Sequence, residues 1–131
     1  MKFVDTSFWI ALQLERDANH EAADALIDQV LGPLITTNHV VGETWTFMRR
    51  WSSHAGAVEA VRRIRAIPTL TVVDVDSDVE DDAWRWLRRR DEREYSFIDS
   101  TSFAVMRRRR IREALAFDGD FAAAGFIELR P

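Results

Sequence analysis

The chain has no cysteine and, among 131 residues, only one lysine, three histidines, three prolines and five glycines. Without cysteine there is neither a disulfide nor a thiolate metal site, which suits a reducing compartment. Any metal would use oxygen or imidazole, and His20, His39 and His54 are too scattered to make the paired spacing of a zinc helix, so we expect a hard cation held by carboxylates rather than a soft metal. The single lysine is Lys2. That removes a phosphate-binding P-loop, which needs a glycine-rich loop and a lysine, and a phospho-receiver module, which needs a lysine downstream of its acids. No G-x-S-x-G elbow occurs, so serine hydrolysis lacks its signal. No apolar run approaches the ~20 residues of a membrane span. The start, "MKFVDTSFWIAL", is broken at once by Asp5 and has no small-residue cleavage site. We therefore expect no signal peptide, no membrane association and a cytoplasmic location.

What the chain does have is an ordinary globular composition, 47% hydrophobic, and a length that fits one domain spanning residues 1–131. The net charge of −4 argues against a globally basic nucleic-acid binder, yet all basic residues but Lys2 are arginine. They cluster in "RWLRRR" (Arg85 to Arg90) and "RRRRIR" (Arg107 to Arg112). Such runs could grip phosphates, or the neighbouring acids of "DVEDD" and "DERE" could pair them off as solvated helix faces. Five tryptophans are more than one small core readily hides. Trp9, Trp45 and Trp51 fall on the first and third expected helices, so we expect an apolar surface that a partner covers.

Strand and helix patterns alternate. "KFVD" reads as a short strand leading into the helix "TSFWIALQL". "NHEAADALIDQVL" has helical spacing behind an N-cap at Asn19 and stops at Gly32-Pro33. A second strand, "PLITT", precedes the helices "NHVVGETWTFMRRW" and "AGAVEAVRRIRAI", the latter ending before Pro68. "LTVVDV" is continuous and β-branched, so we expect a strand covered on both faces. "DVEDDAWRWLRRR" and the segment opening at Ser96 are helical, and "EALAF" and "FIELR" flank "DGDFAAAG". The alternation predicts a three-layer α/β/α sandwich around a mainly parallel sheet.

In such a sheet, sites form beyond the carboxyl ends of the strands, where helix N-termini gather. Asp5 ends the first strand, Asp118 ends "ALAF", Asp99 opens a helix inside the apolar run "SFIDSTSFAVM", and Glu43 lies early in the helix after strand two. Each has a plain alternative. Asp5 and Asp118 could be N-caps, Glu43 a solvated helix residue, and Asp99 the acid of a capping box with Ser96. Together the caps explain less, since capping does not require a carboxylate every time. Crowded carboxylates raise one another's pKa values, and a divalent cation keeps them ionised. The residues alone support an acidic cluster that could bind metal.

The stretches "FVDTSFWIAL", "VVGETWTFMRR", "SFIDSTSFAVM" and "ALAFDGDFAAAGF" resemble, in order and spacing, the PIN-domain ribonucleases, with the closest match to VapC-type toxins of toxin–antitoxin pairs. The resemblance spans essentially the whole chain. It implies that Asp5, Glu43, Asp99 and Asp118 form a catalytic acidic site for Mg²⁺ or Mn²⁺, supported by small hydroxyls at Thr6 or Ser7 and at Ser100. It also implies metal-assisted hydrolysis of RNA phosphodiesters, a homodimer and a small VapB-like antitoxin that occludes the site. One departure stands out: the family usually has threonine two residues before the fourth acid, where this chain has Ala116, so Asp120 is a candidate to assist Asp118. The competing reading is a catalytically inactive PIN-like fold that binds RNA or protein.

Overall fold

The structure, a computed structural model, describes all residues from Met1 to Pro131. Five short strands, β1 (Lys2–Val4), β2 (Leu34–Thr37), β3 (Leu70–Val73), β4 (Glu113–Leu115) and β5 (Ile127–Glu128), form one sheet in the order β3-β2-β1-β4-β5. Every pairing is parallel, with Phe3 opposite both Ile35 and Ala114. Parallel strands need crossover connections, and helices supply them. Helices α1 (Thr6–Gln13) and α2 (His20–Gln29) join β1 to β2, α3 (Asn38–Trp51) and α4 (His54–Arg65) join β2 to β3, and α5 (Ser77–Leu87) and α6 (Phe97–Arg108) join β3 to β4. The single turn α7 (Asp120–Ala123) leads to β5. This is the expected three-layer α/β/α sandwich. No helix is long and apolar enough to cross a membrane.

The chain begins at the centre of the sheet, builds outward through β2 and β3, then returns to the other side of β1 to add β4 and β5. The order therefore reverses between β1 and β4. A crevice opens at such a reversal because the connections on its two sides diverge. Asp5 and Asp118 follow these two strands.

The core fills both sides of the central strands. Phe3, Phe8, Trp9, Ile35, Phe103, Met106, Leu115 and Phe121 are each wholly buried. The ring of Phe103 meets Phe121 edge-on at 4.9 Å and Phe121 stacks on Phe3 at 5.9 Å, tying α6 and α7 to β1. Trp9 Nε1 donates to Thr36 Oγ1, whose own proton goes to the Val4 carbonyl at 2.8 Å, which locks α1 across β1 and β2.

Two expectations fail here. The strand "LTVVDV" is not covered on both faces: β3 is an edge strand, and Thr71 and Val72 are exposed. A continuous β-branched run packs as well on one covered face with an open flank as it does in a sheet centre, so composition could not tell the two apart. Trp9 is not a surface aromatic but a core residue; the most exposed tryptophans are Trp51 and Trp84. Asn19 is the N-cap of α2 as expected, although its side chain makes no capping hydrogen bond.

Candidate active site

Asp5 leaves β1 without leaving the ladder: its amide donates to the Leu115 carbonyl at 3.0 Å. It is also the N-cap of α1. Oδ2 accepts from the Ser7 amide at 3.1 Å and the Ser7 hydroxyl at 2.7 Å. The other oxygen, Oδ1, is buried with no hydrogen-bond partner, and the residue is 2% exposed. A carboxylate cap needs one oxygen, so capping accounts for half of Asp5 and leaves the buried half unexplained.

Asp99 is fixed by α6. Ser96 Oγ accepts from the Asp99 amide at 2.9 Å while Asp99 Oδ2 accepts from the Ser96 amide at 3.1 Å, a complete capping box. This fits the expected geometry and orients the carboxylate. Asp118 sits at the rim, exposed, with Oδ1 accepting from the Asp120 amide at 3.0 Å. The next residue, Gly119, has φ +81°, and a Cβ there would come within 3.2 Å of Arg93 Nη2. The positive φ of the bend after Asp118 is what favours glycine there.

The three side chains converge. One carboxylate oxygen from each of Asp5, Asp99 and Asp118 lies within 4.8 Å of the other two. Burial, reinforced by the Asp118 charge, pushes the Asp5 carboxyl well above the usual carboxylate range, against the opposing pull of Ser7. Burial likewise lifts Asp99 to about 7, with the charges of Asp120 and Asp118 adding to it despite the Ser96 amide. Asp118 is raised too, by desolvation first and then by Asp120 and Glu128. Three acids that resist ionisation, around an unpartnered buried oxygen, match the donor set of a hard divalent cation.

The other anticipated residues are placed differently. Glu43, half-buried on α3, lies outside this cluster and makes neither a hydrogen bond nor an ion pair. Asp120 flanks it, tied to Arg93 Nε at 2.6 Å. The hydroxyl on Asp5 is that of Ser7, which also accepts from the Phe117 amide at 3.0 Å and so holds the end of β4 beside Ala116, where a threonine hydroxyl is missing. Thr6 Oγ1 is buried without a partner. The Ser100 hydroxyl donates to the Phe97 carbonyl at 2.8 Å, within its own helix.

Sequence reading missed two residues that shape the Asp118 loop. Arg93 bridges Asp120 and the Asp118 carbonyl, the latter at 3.2 Å. Glu128 on β5 accepts from the Gly119 amide at 3.3 Å and from the Ala122 amide at 2.9 Å. Both contacts join segments with no local pattern linking them.

The carboxylates gather at the switch point of a parallel sheet, where open α/β folds place their ligand sites, and the three acids could hold a metal ion there. The PIN domain family model matches residues 2–127. The 23S rRNA-specific endonuclease VapC20 of Mycobacterium tuberculosis is 53% identical over 131 residues, covering 100% of this chain and 99% of the relative. The crystal structure of M. tuberculosis VapC20, described as a sarcin–ricin loop cleaving toxin, superposes with a TM-score of 0.95 at 52% identity, covering both chains completely. A toxin–antitoxin complex from Klebsiella pneumoniae, 16% identical with a TM-score of 0.65 over 93% of this chain and 91% of that one, shares the fold alone. The chain belongs to the PIN-domain family, and within it to the VapC-type toxins.

Proposed function

We propose that this protein is a Mg²⁺- or Mn²⁺-dependent endoribonuclease that cleaves 23S rRNA at the sarcin–ricin loop and acts as the toxin of a toxin–antitoxin pair. The observation that carries the metal dependence is Asp5: one oxygen caps α1, the other is buried and unpartnered, and the carboxyl lies in a cluster with Asp99 and Asp118 in which one oxygen from each is within 4.8 Å of the other two. The rRNA target is supported by the 53% identity to VapC20 along the whole chain.

Asp5, Asp99 and Asp118 would hold the ion. When bound, it supplies Lewis acidity, activating water and offsetting charge on the phosphodiester oxygens. The protein residues divide the remaining work. Asp5 is fixed by α1 and Asp99 by its capping box, so two carboxylates stay in place without reorganisation. Asp118, exposed on its glycine bend, is the acid that meets arriving RNA. Arg93 and Ser7 hold that bend from its two sides. Glu43 and Asp120 complete the acid set from outside the cluster, and Thr6 and Ser100, buried next in sequence to Asp5 and Asp99, are the supporting hydroxyls. A cleft of about 230 Å³ lined by Ser7, Phe47, Phe117 and Asp118 leads off beside the cluster and gives the substrate an aromatic wall. Without a cation the negative charge of the acids opposes the approach of a phosphodiester to the cluster itself, so the metal serves placement of the scissile phosphate as well as chemistry.

The partners follow from this reading: rRNA, a VapB-like antitoxin that covers the acids, and a second copy of the chain. Trp51, Val58 and Val72 are exposed on α3, α4 and β3, which supports an apolar face covered in an assembly. A ribosomal RNA target places the protein in the cytoplasm.

The decisive test is cleavage of a sarcin–ricin stem-loop RNA by purified protein. Cleavage is expected with Mg²⁺ or Mn²⁺ and not in chelator, and Asp5→Ala or Asp99→Ala is expected to reduce it by more than about a hundredfold. Full activity in chelator, or in both variants, overturns the reading.

A further inference from the structure

The arginine runs do not dissolve into solvated helix faces. At the C-terminal turns of α5 and α6 a groove of about 390 Å³ gathers Arg85, Arg89, Arg90, Arg107 and Arg108 around Trp86. Only one acid lines it, Asp82, which binds both Arg85 and Arg108, the latter at 2.6 Å. Arg90 reaches Glu92 only at 3.9 Å, and Arg89 and Arg107 have no carboxylate partner at all. Arg90 and Arg107 instead lie against the Trp86 ring, 5.2 and 5.4 Å from its centre.

Cations near a helix C-terminus compensate its dipole, and that accounts for part of this charge. Two helix ends carry about −0.5 each. Against them and Asp82 stand five guanidinium groups in a concave site, in a chain whose net charge is −4. Dipole compensation does not require the cations to converge or to share an aromatic floor. Arg107 shows the mismatch: burial lowers its pKa, and the attraction of Asp82, itself countered in part by Arg90, does not make this up. A guanidinium carries five donors in a planar fork, and a phosphate is the acceptor that matches it.

We propose that this groove is a phosphate-binding exosite that holds the RNA backbone at the opposite end of α6 from Asp99, the helix rising about 12 Å between Asp99 and Arg107. Arg89 and Arg107 donate to phosphate oxygens, Arg85 and Arg108 are pre-oriented by Asp82, and Trp86 supplies a flat wall. The site has the opposite sign to the catalytic cluster, so it supplies the attraction for a polyanion that the cluster lacks. The identity of the anion as RNA rests on the endoribonuclease reading; the arginine groove itself does not.

The test is RNA binding in chelator, where cleavage is silent, followed as anisotropy of labelled single-stranded RNA across a salt series. The double variant Arg89→Ala/Arg107→Gln is compared with wild type and with Arg49→Ala/Arg63→Ala, which removes the same charge from α3 and α4. Loss of two phosphate contacts should flatten the log–log salt slope by about 1.4, at ~0.7 per contact on a single strand, and weaken low-salt binding about tenfold. The control pair should change both by less than half as much. With divalent ion present, KM for the sarcin–ricin stem-loop RNA should rise while kcat holds. Should the double variant fail to fold, Arg89→Ala alone, at an exposed position, should give half the slope change. Binding and KM like wild type overturn the exosite, including in favour of an acidic protein segment as the groove's occupant, and leave the nuclease reading intact. A wild type that binds through Arg89 and Arg107 yet cleaves nothing overturns the nuclease reading and leaves the exosite standing.

Discussion

Ser7 Oγ joins two strand ends across the switch point, donating to Asp5 Oδ2 at 2.7 Å and accepting from the Phe117 amide at 3.0 Å. The same hydroxyl therefore orients the deepest acid and sets where β4 releases its chain toward Asp118. Ser7→Ala should leave the Phe117 amide without its acceptor and Asp5 with one donor fewer, costing about 1–3 kcal/mol of stability, as for hydrogen bonds to charged groups. Activity should fall about tenfold or more through weaker metal binding. Thermal melts and a divalent-ion titration of cleavage check the two effects separately.

Arg93 offers the opposite combination. Its contacts to Asp120 and the Asp118 carbonyl are exposed, so their loss should hardly move the melting temperature. The rim acid would nonetheless lose its outer tether. Arg93→Ala should require more Mg²⁺ or Mn²⁺ for half-maximal cleavage, with Arg93→Lys restoring part of the affinity. An unchanged metal requirement would show that Glu128 and the Gly119 bend suffice to place Asp118.

Glu43 separates the acids by role. It does not join the three-carboxylate cluster in the free protein. Glu43→Gln should then leave the metal affinity of the protein, read by thermal shift with Mn²⁺, close to wild type, whereas Asp118→Asn lowers it. A fall in cleavage rate by Glu43→Gln at saturating metal would assign Glu43 to the substrate-bound site, and an equal loss of metal affinity would make it a full member of the cluster.

The βα alternation was legible because period and punctuation are local: a short apolar strand, then Asp5 as cap, then helical spacing. Asp5, Asp99 and Asp118 could be nominated from their positions at strand and helix ends, and the capping box of Asp99 was visible in Ser96 three residues earlier. What could not be read depended on neighbours far along the chain. The exposure of β3 follows from its place at the sheet edge, which no property of "LTVV" encodes. Arg93 meets Asp120 across 27 residues, and in "DERE" it is one charge among several. The arginine runs on and after α5 and α6 left phosphate binding and pairing both open, because acids surround them in sequence. In space most of those acids face elsewhere and only Asp82 lines the groove.

The pH dependence of stability tests the electrostatics of the cluster without any substrate. Asp99 titrates near 7 in the folded protein, raised from 3.8 chiefly by burial, with Asp120 and Asp118 adding to it. Asp5 and Asp118 are raised as well. Between these values the native state binds more protons than the unfolded chain, so stability falls as pH rises. The contribution is fully present below the unfolded pKa and is lost as pH climbs through about 7. In chelator, the melting temperature should therefore decline from mildly acidic to neutral pH. A divalent ion binds only the deprotonated acids, so its stabilisation should grow over the same interval and flatten or reverse the decline. Asp99→Asn keeps an amide oxygen to accept from the Ser96 amide, yet removes a buried charge from beside two others. It should melt higher than wild type at neutral pH in chelator, by about 4 °C for each ~1 kcal/mol of relieved repulsion in a chain of this size, with a shallower pH slope and little response to metal. If capping were the whole role of Asp99, the variant would instead melt slightly lower at every pH, and metal would leave both proteins unchanged.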